Sequence, residues 1–159
     1  MSGPQTVPRA EDFRVHRDIE VRFRDLDGMA HVNNAVYATY FEVARVAYVK
    51  ALGHADPDGP LEALQPFIML EMNCRFLAQV RFGEDLVVHI RTVSIGTKSF
   101  AFEYLLCRRK DGAAVATGRS TQVYFSYADQ ETLPIPEGFR NRIERLEGRA
   151  MSENGTSVV

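Results

Sequence analysis

A long apolar stretch, from Ala35 to Leu52, limits the folds open to this chain more than any other feature. It contains no glycine or proline before Gly53, which is the pattern of one helix with a C-terminal stop. Apolar side chains occur on nearly every side of this helix, so other elements must surround it. At 1.5 Å per residue the helix is about 27 Å long. The rest of the chain must supply a covering of about that length.

The segments before and after the helix show the two-residue periodicity of half-buried strands. Before the helix, from Phe13 to Phe23, apolar residues occupy the odd positions and polar residues the even ones, and only Arg17 departs from this pattern. After the helix, alternating segments are separated by short turns that contain glycine or aspartate, which predicts an antiparallel meander. The predicted strands are residues 13–23, 68–78, 86–95, 100–106 and 114–127.

These elements predict an α+β fold, in which a curved antiparallel sheet of about five strands wraps around one long central helix. Such a sheet leaves two strand edges open. Because proteins usually hide open edges by pairing them, we expect a homodimer or a homotetramer. The folded domain is predicted at residues 11–147, with a flexible N-terminus at 1–10 and a disordered tail at 148–159.

Composition argues against several classes of function. The chain has 159 residues, of which 45% are hydrophobic, and a net charge of -2, which offers no attraction to nucleic acid or to an anionic membrane. No apolar run is long enough to span a membrane and no signal-peptide core is present, so we expect a cytoplasmic protein. Cys74 and Cys107 have no disulfide-scaffold or metal-site spacing, and His16, His54 and His89 have no metal-ligand spacing, so no metal is expected.

A polar segment between the first strand and the helix, residues 25–34, carries the strongest functional signal. We call it the corner segment, and its sequence is Asp-Leu-Asp-Gly-Met-Ala-His-Val-Asn-Asn. Two carboxylates, one imidazole and two carboxamides would be a costly way to build an ordinary turn, because buried polar groups need partners. The helix that begins here offers unpaired backbone N–H groups, which attract developing negative charge. These features indicate a reactive corner.

The corner segment belongs to a longer pattern. That pattern comprises Val21 to Asp27, His31 to Asn34, Tyr37, Tyr40 to Glu42, and Arg45. It is similar to the Asp-x-Asp-x-x-Gly-His-Val-Asn-Asn-x-x-Tyr opening, and the helix that follows it, of the hotdog-fold acyl-CoA thioesterases in the 4-hydroxybenzoyl-CoA thioesterase-like branch. The resemblance implies a hotdog fold and hydrolysis of a thioester.

Shorter stretches later in the chain resemble the same family, and the resemblance covers about residues 19–139. Ala30 stands where the family usually has Gly before the His, and Gln79 stands where a Pro is common after the second strand. The methyl group of Ala30 restricts the backbone and narrows the approach of a ligand to the turn. The later matching stretches are residues 76–78, 82–86, 96–100 and 133–136.

The two carboxylates of the corner segment have different expected roles. Asp27 corresponds to the second Asp of the family motif, which the resemblance implies is a general base toward water or a nucleophile toward the thioester. Its alternative role is to stabilise the turn and the helix start. Asp25 shares one face of an extended chain with Asp27, so the two negative charges can repel each other. We favour a structural role for Asp25, as a solvated or a hydrogen-bonded residue.

Asn34 and His31 complete the predicted catalytic group. The resemblance implies that the backbone N–H of Asn34 polarises the thioester carbonyl, through a hydrogen bond that strengthens as the oxyanion forms. His31 has two open roles, orientation of water or the substrate carbonyl, and donation of a structural hydrogen bond. Helix capping is an alternative role for the side chains of Asn33 and Asn34.

Five further positions are predicted to bind substrate. Asn33 and Tyr37 lie at the helix entrance. Thr97, Lys98 and Ser99 lie in the turn between two later strands, where the resemblance implies contact with the phosphates of coenzyme A. The ordinary polarity of an exposed turn is an alternative explanation for these three residues.

The resemblance implies hydrolysis of an acyl-CoA, or acyl-carrier-protein, thioester to the free acid and the thiol. Water is the expected co-substrate, no cofactor is expected, and coenzyme A enters only as part of the substrate. One alternative is a hotdog hydratase or dehydratase, which needs an Asp and His set that moves protons between adjacent carbons. Another is a non-catalytic acyl-CoA-binding or regulatory module, against which the presence of Asp27 argues.

Overall fold

The computed structural model describes residues 6–56 and 58–152, and its elements follow the predicted order of strand, helix and four strands. Residues 1–5 and 153–159, which belong to the predicted flexible N-terminus and disordered tail, lie outside the described residues. The helices are α1 (Val36–Leu52), α2 (Leu61–Leu64) and α3 (Glu137–Glu147). The strands are β1 (Val15–Glu20), β2 (Phe67–Phe76), β3 (Asp85–Ile95), β4 (Ser99–Arg108), β5 (Ala114–Ser126) and β6 (Glu131–Thr132).

Five strands form one curved antiparallel sheet in the order β1-β3-β4-β5-β2, and the short β6 pairs with β5. The predicted α+β hotdog architecture is confirmed. The meander is confirmed for β3, β4 and β5 but is wrong for β2, which pairs with β5 and places Met72 opposite Ser120. The residues just after β2 remain hydrogen-bonded to β5. The N–H groups of Leu77 and Ala78 both donate to the carbonyl of Val115. Strands β1 and β2 are therefore the two edges.

The first strand is shorter than its alternation predicted. β1 ends at Glu20, and a 3-10 turn, Phe23–Asp25, follows it. Phe23 therefore leaves the inward-facing row of apolar side chains and is 80% exposed. Its ring meets the exposed ring of Phe82 edge-to-face, with 6.2 Å between the centroids.

Helix α1 packs into the concave side of the sheet. The ring of Phe41 stacks on Tyr104 of β4 with 4.5 Å between the centroids. Gly118 of β5 makes room for this ring, because a Cβ there would lie 2.5 Å from Cε2 of Phe41. The helix ends at Gly53, whose φ of 62° is the left-handed conformation of a glycine C-cap. Its outer stripe, which includes Glu42, stays exposed, so the prediction that other elements surround the helix is wrong on that side.

Helix α3 packs beside the C-terminal end of α1. Its last residue, Glu147, is buried and accepts hydrogen bonds from the hydroxyl of Tyr48 at 2.6 Å and the N–H of Thr92 at 2.8 Å. Met151, within the predicted tail, is also buried and donates its N–H to the carboxylate of Glu144 at 2.9 Å. Across the described ranges, none of the helices combines the length and the apolar character needed to cross a membrane.

Candidate active site

The corner segment folds into a compact hydrogen-bonded loop between β1 and α1. The N–H of Asp27 donates to the carbonyl of His31 at 2.8 Å, and the N–H of Ala30 donates to the carbonyl of Asp27 at 3.1 Å. Ala30 has a φ of 61°, in the left-handed region, which costs a residue with a Cβ roughly 1–2 kcal/mol. The loop thus holds Ala30 in a conformation that glycine adopts without strain.

Asp27 uses one carboxylate oxygen to hold this loop. Its Oδ1 accepts hydrogen bonds from the N–H groups of Met29 at 2.8 Å and His31 at 3.3 Å. No residue in the described part of the chain donates a hydrogen bond to Oδ2. A carboxylate that is oriented through one oxygen leaves the other for a water molecule or a substrate atom. The geometry therefore accommodates the turn-stabilising role and the catalytic role together.

Asp25 is only 2% exposed, and both of its oxygens are occupied. Oδ2 accepts the hydroxyl of Tyr40 at 2.9 Å and the backbone N–H of Arg22 at 3.0 Å, while the Arg22 guanidinium donates to Oδ1 at 2.9 Å. Burial acts to raise the pKa of Asp25, but the hydrogen bonds from Arg22 and Tyr40 outweigh it and lower the pKa. The carbonyl of Asp25 also accepts the N–H of Asn33 at 2.8 Å. These contacts fit the structural role.

The two asparagines at the helix entrance differ in their contacts. The side-chain oxygen of Asn33 accepts the N–H of Ala35 at 2.9 Å, which forms an Asx turn just before α1, and Ala35, the N-cap residue of the helix, has no side-chain capping hydrogen bond. Asn34 lines a cavity, and its backbone N–H donates to no group in the described ranges. An unpaired N–H at a helix start is the type of donor that can polarise a carbonyl.

A cavity of about 300 Å³ brings four of the predicted site residues together: Asp27, His31, Asn34 and Tyr37. Tyr37 forms part of its apolar wall and packs edge-to-face on Phe76 at the end of β2, with 5.0 Å between the ring centroids. The other lining residues are Met29, Val32, Phe76, Leu77, Ala78 and Gln79. The cavity combines an oriented carboxylate, a helix entrance and an apolar wall, which suits the carbonyl end of an acyl group.

The turn that contains Thr97, Lys98 and Ser99 lies at the opposite end of the sheet from this cavity. Strand β4 separates the two ends: Ser99 begins it, and Arg108 ends it with a hydrogen bond of 2.6 Å to the carbonyl of Gln79, which lines the cavity. Ten residues at 3.3 Å each make this separation about 30 Å. The structure therefore does not bring the turn to Asp27 within one protomer.

The sequence patterns did not identify the wall that the chain builds after β2. Leu77, Ala78 and Gln79 line the cavity, and the carbonyl of Val80 accepts the N–H of Val32, which ties this wall to the corner segment. The signals at this wall are the stretch at residues 76–78 that resembles the family and the departure from the family pattern at Gln79. Sequence spacing alone cannot show that the two segments meet, because they are far apart in the chain.

A larger groove, of about 550 Å³, lies between β1 and the outer face of α1. It shares no lining residue with the cavity at Asp27, so the candidate active site is not the cavity with the larger volume of the two. Within residues 6–56 and 58–152, no three His, Cys, Asp or Glu side chains are grouped so that they could hold a metal ion.

Comparisons with known proteins identify the family and agree with the fold. A family model described as the Thioesterase-like superfamily matches residues 21–143. A solved thioesterase from Thermus thermophilus, complexed with coenzyme A and Zn, is 36% identical with a TM-score of 0.79, and the match covers 89% of this chain and 99% of that one.

Two curated relatives match over shorter shares of their length. The acyl-acyl carrier protein thioesterase ATL3 of Arabidopsis thaliana is 24% identical over 127 residues, which are 79% of this chain and 65% of the relative. The putative acyl-CoA thioesterase YneP of Bacillus subtilis is 34% identical over 74 residues, which are 46% of this chain and 52% of the relative. The chain thus spans about half to two thirds of the length of these relatives.

Proposed function

This chain belongs to the thioesterase-like superfamily, and from that premise we propose that it hydrolyses a thioester of coenzyme A, or of an acyl carrier protein, to the free acid and the thiol. One observation carries the proposal: Asp27 is oriented through Oδ1 beside the helix entrance at Asn34, in a cavity with an apolar wall. Water is the co-substrate, the reaction uses no cofactor, and coenzyme A enters only as part of the substrate.

Asp27 acts in one of two ways. As a general base it takes a proton from the water that attacks the carbonyl carbon, and as a nucleophile it attacks that carbon itself to form an anhydride that water then hydrolyses. In both cases the carbon–sulfur bond breaks and the thiolate leaves and takes up a proton. The N–H of Asn34 donates to the carbonyl oxygen, His31 and Asn33 position the loop and the water, and Tyr37 contacts the acyl group.

Asp27→Asn tests the proposal, because the amide oxygen still accepts the N–H groups of Met29 and His31 while the carboxylate is lost. We expect kcat for thiol release from acyl-CoAs to fall about 100- to 10,000-fold, with little change in melting temperature. Asn34→Ala is the matched control, because the proposed role belongs to its backbone, and kcat should stay within a few fold of wild type.

Other results would identify the alternatives. Wild-type protein that binds acyl-CoA without releasing thiol would be a non-catalytic module. Loss of an enoyl absorbance without thiol release would indicate a hydratase. Full activity in Asp27→Asn would show that Asp27 is neither the general base nor the nucleophile.

We also propose a homodimer that pairs the two β2 edges. Strand β2 has one neighbour in the described sheet, β5, and carries exposed apolar side chains, among them Leu70, which is 63% exposed. An open, apolar edge strand of ten residues is a template for pairing. A two-fold axis at this edge would extend the sheet across both subunits.

Antiparallel pairing of β2 would bring the distant turn to the site. The end of β2 that adjoins Asp27 would lie beside the start of the partner's β2, the end at which Thr97, Lys98 and Ser99 are found. The partner's β4 would be three strand spacings away, or about 14 Å. The partner subunit's Lys98 could then meet the phosphates of a coenzyme A whose thioester lies at Asp27.

Subunit mixing tests this shared site. Asp27→Asn and Lys98→Glu proteins, each with reduced activity alone, are mixed under conditions that exchange subunits. If the site is shared, each mixed dimer contains one site with both wild-type residues, and an equal mixture should recover about a quarter of wild-type activity. No recovery in dimers shown to have exchanged would mean that the turn does not serve the partner's site.

A further inference from the structure

The groove between β1 and α1 has the dimensions of a ligand site. Its volume of about 550 Å³ lies within the usual range for small-molecule pockets. Its apolar floor comprises Val15, Val43, Val46, Ala47 and Ala51. None of these side chains takes part in the proposed hydrolysis, so the groove is a separate feature of the molecule.

The positive charges of the groove are concentrated at one end. Tyr40 contacts Asp25, which places the N-terminal half of α1 beside the chain that leaves β1. The start of β1, next to Arg14, therefore lies beside the C-terminal end of α1, where Lys50 is found. Arg14 also reaches the carbonyl of Leu146 at the end of α3, which is consistent with this placement. Neither Arg14 nor Lys50 forms an ion pair with a described residue.

The other end of the groove has balanced charge. Glu42 and Arg17 both line it, and they carry opposite signs. Between the two ends, Val43 and Val46 lie along the exposed stripe of α1, with Val43 37% exposed. A ligand that matches the groove needs one negative group and an apolar chain that runs from it.

We propose that this groove binds a medium-chain fatty-acid anion, with its carboxylate at Lys50 and Arg14 and its chain over Val46 and Val43. The chain length follows from the helix. Lys50 and Val43 are separated by about 10 Å along the axis at 1.5 Å per residue. At about 1.3 Å per methylene, this distance accommodates about eight carbons. The site is independent of the proposed hydrolysis, because binding requires no reaction.

A chain-length series measured by isothermal titration calorimetry tests the proposal. Acetate, hexanoate, octanoate, decanoate and palmitate are titrated into the full chain below their micelle concentrations. Affinity should rise about two- to fourfold per methylene up to eight to ten carbons and then level off. Affinity that does not depend on chain length would overturn the proposal.

Two groove variants and one control locate the bound anion. Lys50→Glu removes the cationic partner and Val46→Glu places a charge in the apolar floor, so each should weaken octanoate binding at least about tenfold. Lys110→Glu, which makes the same change of charge as Lys50→Glu at an exposed position in the turn between β4 and β5, away from the groove, should leave binding unchanged.

Three outcomes would contradict the proposal. Octanoate binding that survives both groove variants would place the anion elsewhere, for example in the Asp27 cavity. Loss of binding in Lys110→Glu would indicate a general effect of charge. A change in the sedimentation coefficient of Val46→Glu, with octanoate affinity unchanged, would make the groove an interface between copies of the chain. None of these measurements depends on thiol release, so failure of the proposed hydrolysis would be seen separately.

Discussion

Replacement of Tyr40 by Phe removes one buried hydrogen bond from the corner of the structure. The Tyr40 hydroxyl donates to Oδ2 of Asp25 at 2.9 Å, and both residues are 2% exposed. A hydrogen bond to a charged group contributes about 1.5–3 kcal/mol to stability. Because Asp25 keeps the Arg22 contacts, we expect a loss near the lower limit, about 1.5–2 kcal/mol. For a domain of this size the melting temperature should fall by about 3–8 °C.

The sign of the pH dependence follows from the pKa of Asp25. Burial alone would raise that pKa, but hydrogen bonds from Arg22 and Tyr40 lower it overall, so folding favours the ionised carboxylate. Stability from this shift is fully present above the unfolded value of about 3.9 and is lost as the pH falls through the lower folded value. The loss of stability in Tyr40→Phe, relative to wild type, should therefore be constant near neutral pH and become smaller in acid.

Thermal unfolding followed by circular dichroism, from pH 7 down to pH 3, measures both effects. Tyr127→Phe is the control, because the Tyr127 hydroxyl donates to the neutral carbonyl of Phe67 at 3.3 Å and the residue is exposed. The loss of melting temperature in Tyr127→Phe should be smaller than that in Tyr40→Phe and should not depend on pH. A Tyr40→Phe protein that melts within 1 °C of wild type at pH 7, or whose deficit grows in acid, would refute the reasoning.

Two further substitutions test the packing of the sheet and the strain of the loop. Gly118→Ala should destabilise the protein by about 2–3 kcal/mol, because its Cβ would lie 2.5 Å from the stacked ring of Phe41, and adding Phe41→Leu should restore part of that loss in urea unfolding. Ala30→Gly should raise the melting temperature by up to about 4 °C, because relief of roughly 1–2 kcal/mol of left-handed strain outweighs the roughly 0.5–1 kcal/mol that glycine costs through the unfolded chain, and a lower melting temperature would contradict the assigned conformation.

Periodicity predicted the elements well but not their neighbours. Helix α1 was expected from Ala35 to Leu52 and runs from Val36 to Leu52, because an apolar run that ends at Gly53 specifies its own limits. The pairing of β2 with β5 was missed, because alternation is a property of one strand and carries no information on which strand lies beside it. Phe23 was misplaced for a related reason, since a two-residue pattern can continue past the end of the strand.

The candidate site was predictable where its residues are close in sequence. One motif predicts Asp27, His31, Asn34 and Tyr37 as site residues, and all four line one cavity. The wall at residues 77–79 was not predictable from spacing, because it reaches the corner segment only through the fold, where the N–H of Val32 bonds to the carbonyl of Val80. The turn at residues 97–99 was still harder to place from spacing, because it would approach Asp27 only through the proposed pairing of two chains.

The two carboxylates of the corner segment show why residue type alone could not assign their roles. Asp25 and Asp27 are chemically identical and two positions apart, yet Asp25 has both oxygens occupied by Arg22 and Tyr40, whereas Asp27 has described donors only at Oδ1. A carboxylate whose lone pairs are already satisfied gains little by binding a water molecule. In the proposed mechanism the reactive oxygen is therefore the one that receives no hydrogen bond from a described residue, and that oxygen is Oδ2 of Asp27.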